Sequence, residues 1–180
     1  QEMKKVINNP DNVVSDMLRG LARANPSVCY DPENEVIYRK EMKKGKVGLV
    51  SGGGSGHEPA HAGYVGSGML DAAVAGNVFA SPSADRFLKG CEYADTGAGV
   101  LMIIKNYSGD IMNSDMAREL AQMSDIEVDA VLVKDDVAVA DSTYSTGRRG
   151  IAGTVFVHKI AGAKAESGAE NERSEIVLRR

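Results

Sequence analysis

The sequence is sparing in the features that commit a chain to several large protein classes. Only two cysteines occur in 180 residues, Cys29 and Cys91. They lie far apart and without metal-type spacing, so both read as small buried hydrophobes rather than a disulfide or redox pair. Long apolar runs are also missing. Stretches such as Val100 to Ile104 fall far short of the ~20 residues of a membrane span. The amino end shows no basic segment followed by an apolar stretch and a cleavage site, and a cytoplasmic protein without a membrane partner is therefore expected. The Asn106-Tyr107-Ser108 glycosylation pattern carries no weight in that setting. Charge of one sign is not in excess either: the net charge of −4 offers no footprint for nucleic acid. Internal repeats and low-complexity tracts are absent. The remaining composition is that of an ordinary globular chain, long enough for one domain with a continuous core.

Periodicity places the elements. Asp11 is a good N-cap for a helix with Val14, Met17, Leu18, Leu21 and Ala22 along one stripe. A proline- and charge-rich connection from Asn25 to Lys46 leaves room for a short strand around Val36 to Tyr38. Val47 to Val50 read as a buried strand running into a glycine loop. Ser81-Pro82 opens a helix whose apolar face is Ala84, Phe87, Leu88 and Cys91. Gly99 to Lys105 form a second buried strand. A loop from Asn106 to Asp110 then leads to a helix capped by Asn113 or Ser114, with Met116, Leu120 and Met123 facing inward. A third strand spans Val128 to Val133. After the loop from Lys134 to Gly150, a helix carrying Ala152, Val155, Phe156 and Ile160 runs to about Ala169. Strands that are apolar throughout and alternate with helices predict an α/β fold, a mixed or mostly parallel sheet covered by helices on both faces. Ligands collect beyond the carboxyl ends of such strands, which points at the loops after Val50 and Lys105.

The segment Gly52-Gly53-Gly54-Ser55-Gly56-His57-Glu58-Pro59 needs a reason, because four glycines in five positions lose much backbone entropy on folding. A plain strand-to-helix turn is the bland explanation. A phosphate cradle fits poorly, since His57 and Glu58 stand where a P-loop needs Lys followed by Ser or Thr. His57-Glu58-Pro59-Ala60-His61 spells the His-Glu-x-x-His pattern of zinc hydrolases. That motif needs both histidines on one face of a regular helix, which the glycine run and Pro59 oppose; the third histidine, His158, is expected on a helix far along the chain. No metal site is therefore expected. The remaining reading is a small-molecule pocket in which His57 does acid-base work, Asp110 accepts a hydroxyl proton and Lys105 binds an oxygen.

Several motifs extend the match. They are Val47 to Pro59, Gly76-Asn77-Val78-Phe79-Ala80-Ser81-Pro82, Ile103 to Asp110, Asp135-Asp136-Val137-Ala138-Val139 and Tyr144-Ser145-Thr146-Gly147-Arg148-Arg149-Gly150. In this order they resemble the K subunits of dihydroxyacetone kinases, from Met3 to about Ala169. The resemblance implies a homodimeric subunit that binds dihydroxyacetone, with no cofactor of its own. ADP or ATP with magnesium would sit on a separate L subunit, in a phosphoenolpyruvate-dependent relay. It implies Gly54, Ser55, Gly56, His57, Lys105 and Asp110 as substrate contacts, with His57 and Asp110 as the acid-base pair. A non-catalytic, ligand-sensing relative that controls a partner protein is the alternative it leaves open. The family's Gly-x-His-Gly-Glu-Pro segment, whose histidine forms a hemiaminal with the ketone, has no counterpart here. The expectation is an amino-terminal domain over residues 3–170, a tail over 171–180 that departs from the family pattern, and the second family domain absent from this chain.

Overall fold

The computed structural model describes residues 5–139 and 147–168. Its strands are β1 (Val28–Asp31), β2 (Val36–Arg39), β3 (Gly48–Ser55), β4 (Ala72–Val78), β5 (Val100–Lys105) and β6 (Val128–Val133). Its helices are α1 (Val13–Ala24), α2 (Ala84–Ala94), α3 (Ser108–Met123) and α4 (Thr154–Glu166). The strands form one sheet in the order β1-β2-β4-β3-β5-β6. Strands β4, β3, β5 and β6 run parallel, and β1 and β2 add an antiparallel edge. This is the expected mixed, mostly parallel sheet. Every residue of β5 is buried, as a central parallel strand covered on both faces requires.

Each face has its own core. On one, Phe87 and Cys91 of α2 and Ala117 and Ala121 of α3 lie against Val50, Val74, Met102 and Ile104. On the other, Leu18 of α1 and Ala161 and Ala165 of α4 lie against Leu49, Ala73, Leu101 and Ile103. From β3 the chain passes to β4 on one side, then through α2 to β5 on the other. The carboxyl end of β3 is thus the topological switch point, where an open α/β sheet leaves a crevice.

Several sequence expectations are corrected. The glycine segment is not a loop: β3 continues through Gly52 and Gly54 to Ser55, paired with β4. Strands β1 and β4 were not foreseen. The alanine-rich β4 has low strand propensity, but it is buried where α2 and α1 close on the sheet and larger side chains would not fit. Helix α3 begins at Ser108, ahead of the expected Asn113 or Ser114 cap. Met116 and Met123 face solvent; Ala117 and Ala121 face the core, because close packing on α2 and the sheet selects the small side chains. In α4 too the small residues Ala161 and Ala165 are buried, and Phe156 and Ile160 are exposed. Ser83, not Ser81, stands at the N-cap position of α2, without a side-chain hydrogen bond to the helix. In α1 Leu18 is buried and Val14, Met17, Leu21 and Ala22 pack beside it as expected, while Asp11 lies in a short 3-10 turn ahead of the helix. Residues 144–146 of the last motif and the 171–180 tail lie outside the described residues.

Candidate ligand-binding site

The site grows from the end of β3. A Cβ on Gly52 would come within 2.7 Å of the Phe87 ring, so glycine there lets α2 lie close to the sheet. A Cβ on Gly53 would instead meet side chains: Asp110 Oδ2 at 3.3 Å, His61 Nε2 at 3.6 Å and Lys105 Cε at 3.8 Å. Side chains of three polar residues from three parts of the chain therefore lie within 4 Å of one point. Lys105 ends β5, Asp110 lies in the first turn of α3, and His61 ends the turn that follows β3.

His57 and Asp110, with Gly54, Phe79, Ser81 and Tyr107, line one cleft of about 620 Å³. The exposed His57 ring lies edge-on to Phe79, centroids 5.6 Å apart. Gly56, at φ +115°, makes this possible, because a Cβ would strike the Phe79 ring at 2.6 Å. Glu58 accepts from the Gly56 amide and steadies the turn. The Ser55 hydroxyl donates to the Gly76 carbonyl at 2.8 Å; it ties β3 to β4 and does not face the cleft.

Beside the cleft lies a cavity of about 370 Å³ lined by His57, His61, Tyr64, Lys105, Tyr107 and His158, among others. His158 lies, as expected, on a helix far along the chain. Helix α4 brings it to His61, 97 residues away in sequence, with Nε2 3.3 Å from His61 Nδ1. The same His61 nitrogen lies 3.1 Å from Ser51 Oγ, and that hydroxyl donates to the Ile103 carbonyl at 2.6 Å. Sequence reading missed this buried Ser51–His61–His158 cluster; a serine inside an apolar strand was the only local signal. The far wall of the cavity is a segment latched to the sheet. Asn106 donates to the Arg148 carbonyl, Arg149 pairs with Asp136 at 2.8 Å, and Gly150 lies where a Cβ would meet the Val133 carbonyl at 2.4 Å. Asp135 accepts from the amides of Ile151 and Gly153 at 2.6 and 2.7 Å, capping α4 from a distance.

Burial sets the electrostatics. It pushes the Asp110 carboxyl above the usual range, against the opposing pull of Ser81 and of the Lys105 charge. Burial lowers Lys105, with Asp110 acting the other way. His57 and His61 are held below the ordinary imidazole value by burial and by the Lys105 charge, and His158 is pushed down to about 4 by the same two causes. The imidazoles are thus neutral near pH 7.

The zinc-hydrolase arrangement does not form. Residues 57–61 are turns rather than helix, with His57 exposed and His61 buried. Among the described residues no group of three or more His, Cys, Asp or Glu could hold a metal ion. A phosphate cradle at a helix start is not built either, because Gly52 to Gly54 belong to β3.

An open α/β sheet with a cation, a carboxylate and imidazoles gathered at its switch point defines a small-polar-ligand-binding domain. Comparison with known families is more specific: the Dak1 domain matches residues 19–178, and the chain belongs to that family. It is 58% identical over 171 residues to the dihydroxyacetone-binding subunit DhaK of PTS-dependent dihydroxyacetone kinase 1 from Listeria innocua, covering 94% of this chain and 52% of that protein. Among solved structures, it resembles the dihydroxyacetone kinase of C. freundii, in native form and in complex with AMP-PNP and Mg2+. That match has a TM-score of 0.87 at 41% identity, over 97% of this chain and 32% of the kinase. It also resembles a dihydroxyacetone kinase operon co-activator, Dha-DhaQ, with a TM-score of 0.82 at 40% identity over 89% of this chain and 49% of that one. The chain spans about half the length of the bacterial DhaK relatives it matches. None of the described helices is long and apolar enough to cross a membrane.

Proposed function

We propose that this chain is the dihydroxyacetone-holding part of a kinase K subunit, working as a homodimer in the cytoplasm and presenting the ketose to a nucleotide-bearing L subunit. The observation that carries this reading is the convergence of Asp110, Lys105 and His61 on the Gly53 backbone, beside a cleft that also holds His57. A small hydroxyketone needs donors for its carbonyl oxygen and acceptors for its hydroxyls, and Lys105 and Asp110 are one of each. Asp110 accepts the proton of the terminal hydroxyl as that oxygen attacks a phosphoryl group presented by the partner. His57, neutral at the cleft mouth, passes that proton to solvent. Gly53 has no side chain on the face toward Asp110, Lys105 and His61, so that the ligand can approach the backbone there, while Gly54 and Gly56 let Phe79 pack closely beside the strand end. ADP or ATP with magnesium belongs to the partner in this scheme, and phosphoenolpyruvate is the ultimate donor, as the names of the DhaK relatives suggest.

The likeness to a co-activator supports a second reading, a sensor that binds the ketose and controls a partner protein without turnover. One assay separates them. The native full chain, mixed with L subunit and the phosphoryl donor, produces dihydroxyacetone phosphate if the kinase reading is right. Tight ketose binding with no product establishes the sensor, and failure to bind dihydroxyacetone ends both readings.

A further inference from the structure

His61 belongs to no role assigned above, yet it is 6% exposed and its Nε2 has no hydrogen-bond partner among the described residues. Its tautomer follows from its neighbours. The Ser51 hydroxyl hydrogen is committed to the Ile103 carbonyl at 2.6 Å, so Ser51 Oγ can only accept from the ring. The proton of a neutral His61 therefore sits on Nδ1, shared between Ser51 Oγ at 3.1 Å and His158 Nε2 at 3.3 Å. This leaves Nε2 a bare lone pair, on the side where the Gly53 Cβ position also meets Asp110 and Lys105. A buried acceptor without a partner costs free energy that a ligand hydroxyl recovers.

We propose that His61 Nε2 accepts the hydrogen bond of the second ligand hydroxyl, the one that is not phosphorylated, and so selects ketones hydroxylated on both sides of the carbonyl. This rests on the dihydroxyacetone reading above and deepens it. Asp110 takes one hydroxyl, Lys105 faces the carbonyl oxygen, and the other hydroxyl is left to the imidazole. Ser51 and His158 are positioning residues that hold the ring and its tautomer. A carboxylate in the place of His61 would bring a second negative charge beside Asp110; a neutral imidazole supplies the acceptor without one.

The test compares dihydroxyacetone with hydroxyacetone, which lacks one hydroxyl, by calorimetric binding to the native full chain and two variants. His61→Asn keeps a donor toward Ser51 at the Nδ1 position and removes the acceptor at Nε2; His61→Gln keeps an amide oxygen that reaches the Nε2 position. The wild type is expected to prefer dihydroxyacetone by ~10-fold or more. The Asn variant should lose that preference, with hydroxyacetone affinity unchanged, and the Gln variant should retain most of it. Equal weakening of both ligands by His61→Asn, or no change in either, overturns the proposal. If the Asn variant does not fold, 15N-histidine NMR of the wild type decides instead: a proton on Nδ1 of His61 supports the assignment, and a proton on Nε2 overturns it. If the wild type binds neither ketone, the substrate reading itself fails and this inference with it. Binding of both without preference removes only the inference.

Discussion

Asp110 is 3% exposed, in the first turn of a helix whose dipole favours negative charge, and faces a buried lysine. The proposed chemistry asks it to move a proton more than to hold the ligand. Asp110→Asn, which keeps shape and hydrogen bonding, should lower turnover by about 100-fold or more while changing the dihydroxyacetone dissociation constant by less than about threefold. Stopped-assay kinetics beside calorimetry measures both, and equal loss in the two would remove Asp110 from proton transfer. His158 makes a prediction about stability. Folding lowers its pKa from 6.5 to about 4, so between those values the unfolded chain binds more protons than the folded one. Its contribution is complete above pH 6.5 and is lost as pH falls toward 4, on the order of 3 kcal/mol at most. The melting temperature should therefore drop between pH 7 and pH 5, and His158→Leu should flatten that slope; an unchanged slope in the variant contradicts the burial argument. His57, Lys105 and Asp110 were legible as candidates because each stands next to a glycine run, at a strand end or on the segment just beyond one. Ser51 and His158 were not, since what makes them notable is a contact made across the fold.

At the scale of the elements, small residues decide the geometry. Gly52 puts the end of β3 directly under Phe87, and an added methyl would also come within 2.8 Å of the Val74 carbonyl. Gly52→Ala should destabilise the fold by about 1–3 kcal/mol, because backbone and a fully buried ring surround the site. Urea denaturation measures this, and a neutral result would show that α2 can shift outward. The same preference for small side chains explains why α3 and α4 turn alanines inward and leave Met116, Met123 and Phe156 exposed. Apolar periodicity located both helices, and in α3 it turned Leu120 correctly inward but Met116 and Met123 wrongly so, because alanine and the larger apolar residues offer two competing stripes and only the sheet's distance chooses between them.

Across the whole molecule one buried charge joins distant parts. Asp71, fully buried before β4, pairs with Lys46 and with Arg39 of β2 at 3.0 Å, and accepts from the Leu49 amide of β3 at 2.8 Å. Arg39 continues to Glu166 at the end of α4, at 2.8 Å, and holds the Glu166 carboxyl down to about 2. Antiparallel edge, central strand and final helix are thus linked through one carboxylate. Asp71→Ala would leave Lys46 buried without its partner and should cost about 3–5 kcal/mol of stability, read from chemical denaturation of the native full chain. A loss below about 1 kcal/mol would mean that water or a neighbouring acceptor replaces the carboxylate.

The sequence by itself determined the layered α/β class, the burial of β3 and β5 and the family, because apolar runs, alternation and ordered glycine-rich motifs are local properties of the chain. It also named three of the polar groups that face the site. Only the tertiary structure decided that Gly52 to Gly54 are strand rather than loop, which helix faces turn inward, and that His61, Ser51 and His158 meet beside Lys105 and Asp110. The physical reason is common to all three: each depends on how closely a distant element approaches, and that distance is set when the helices settle on the sheet.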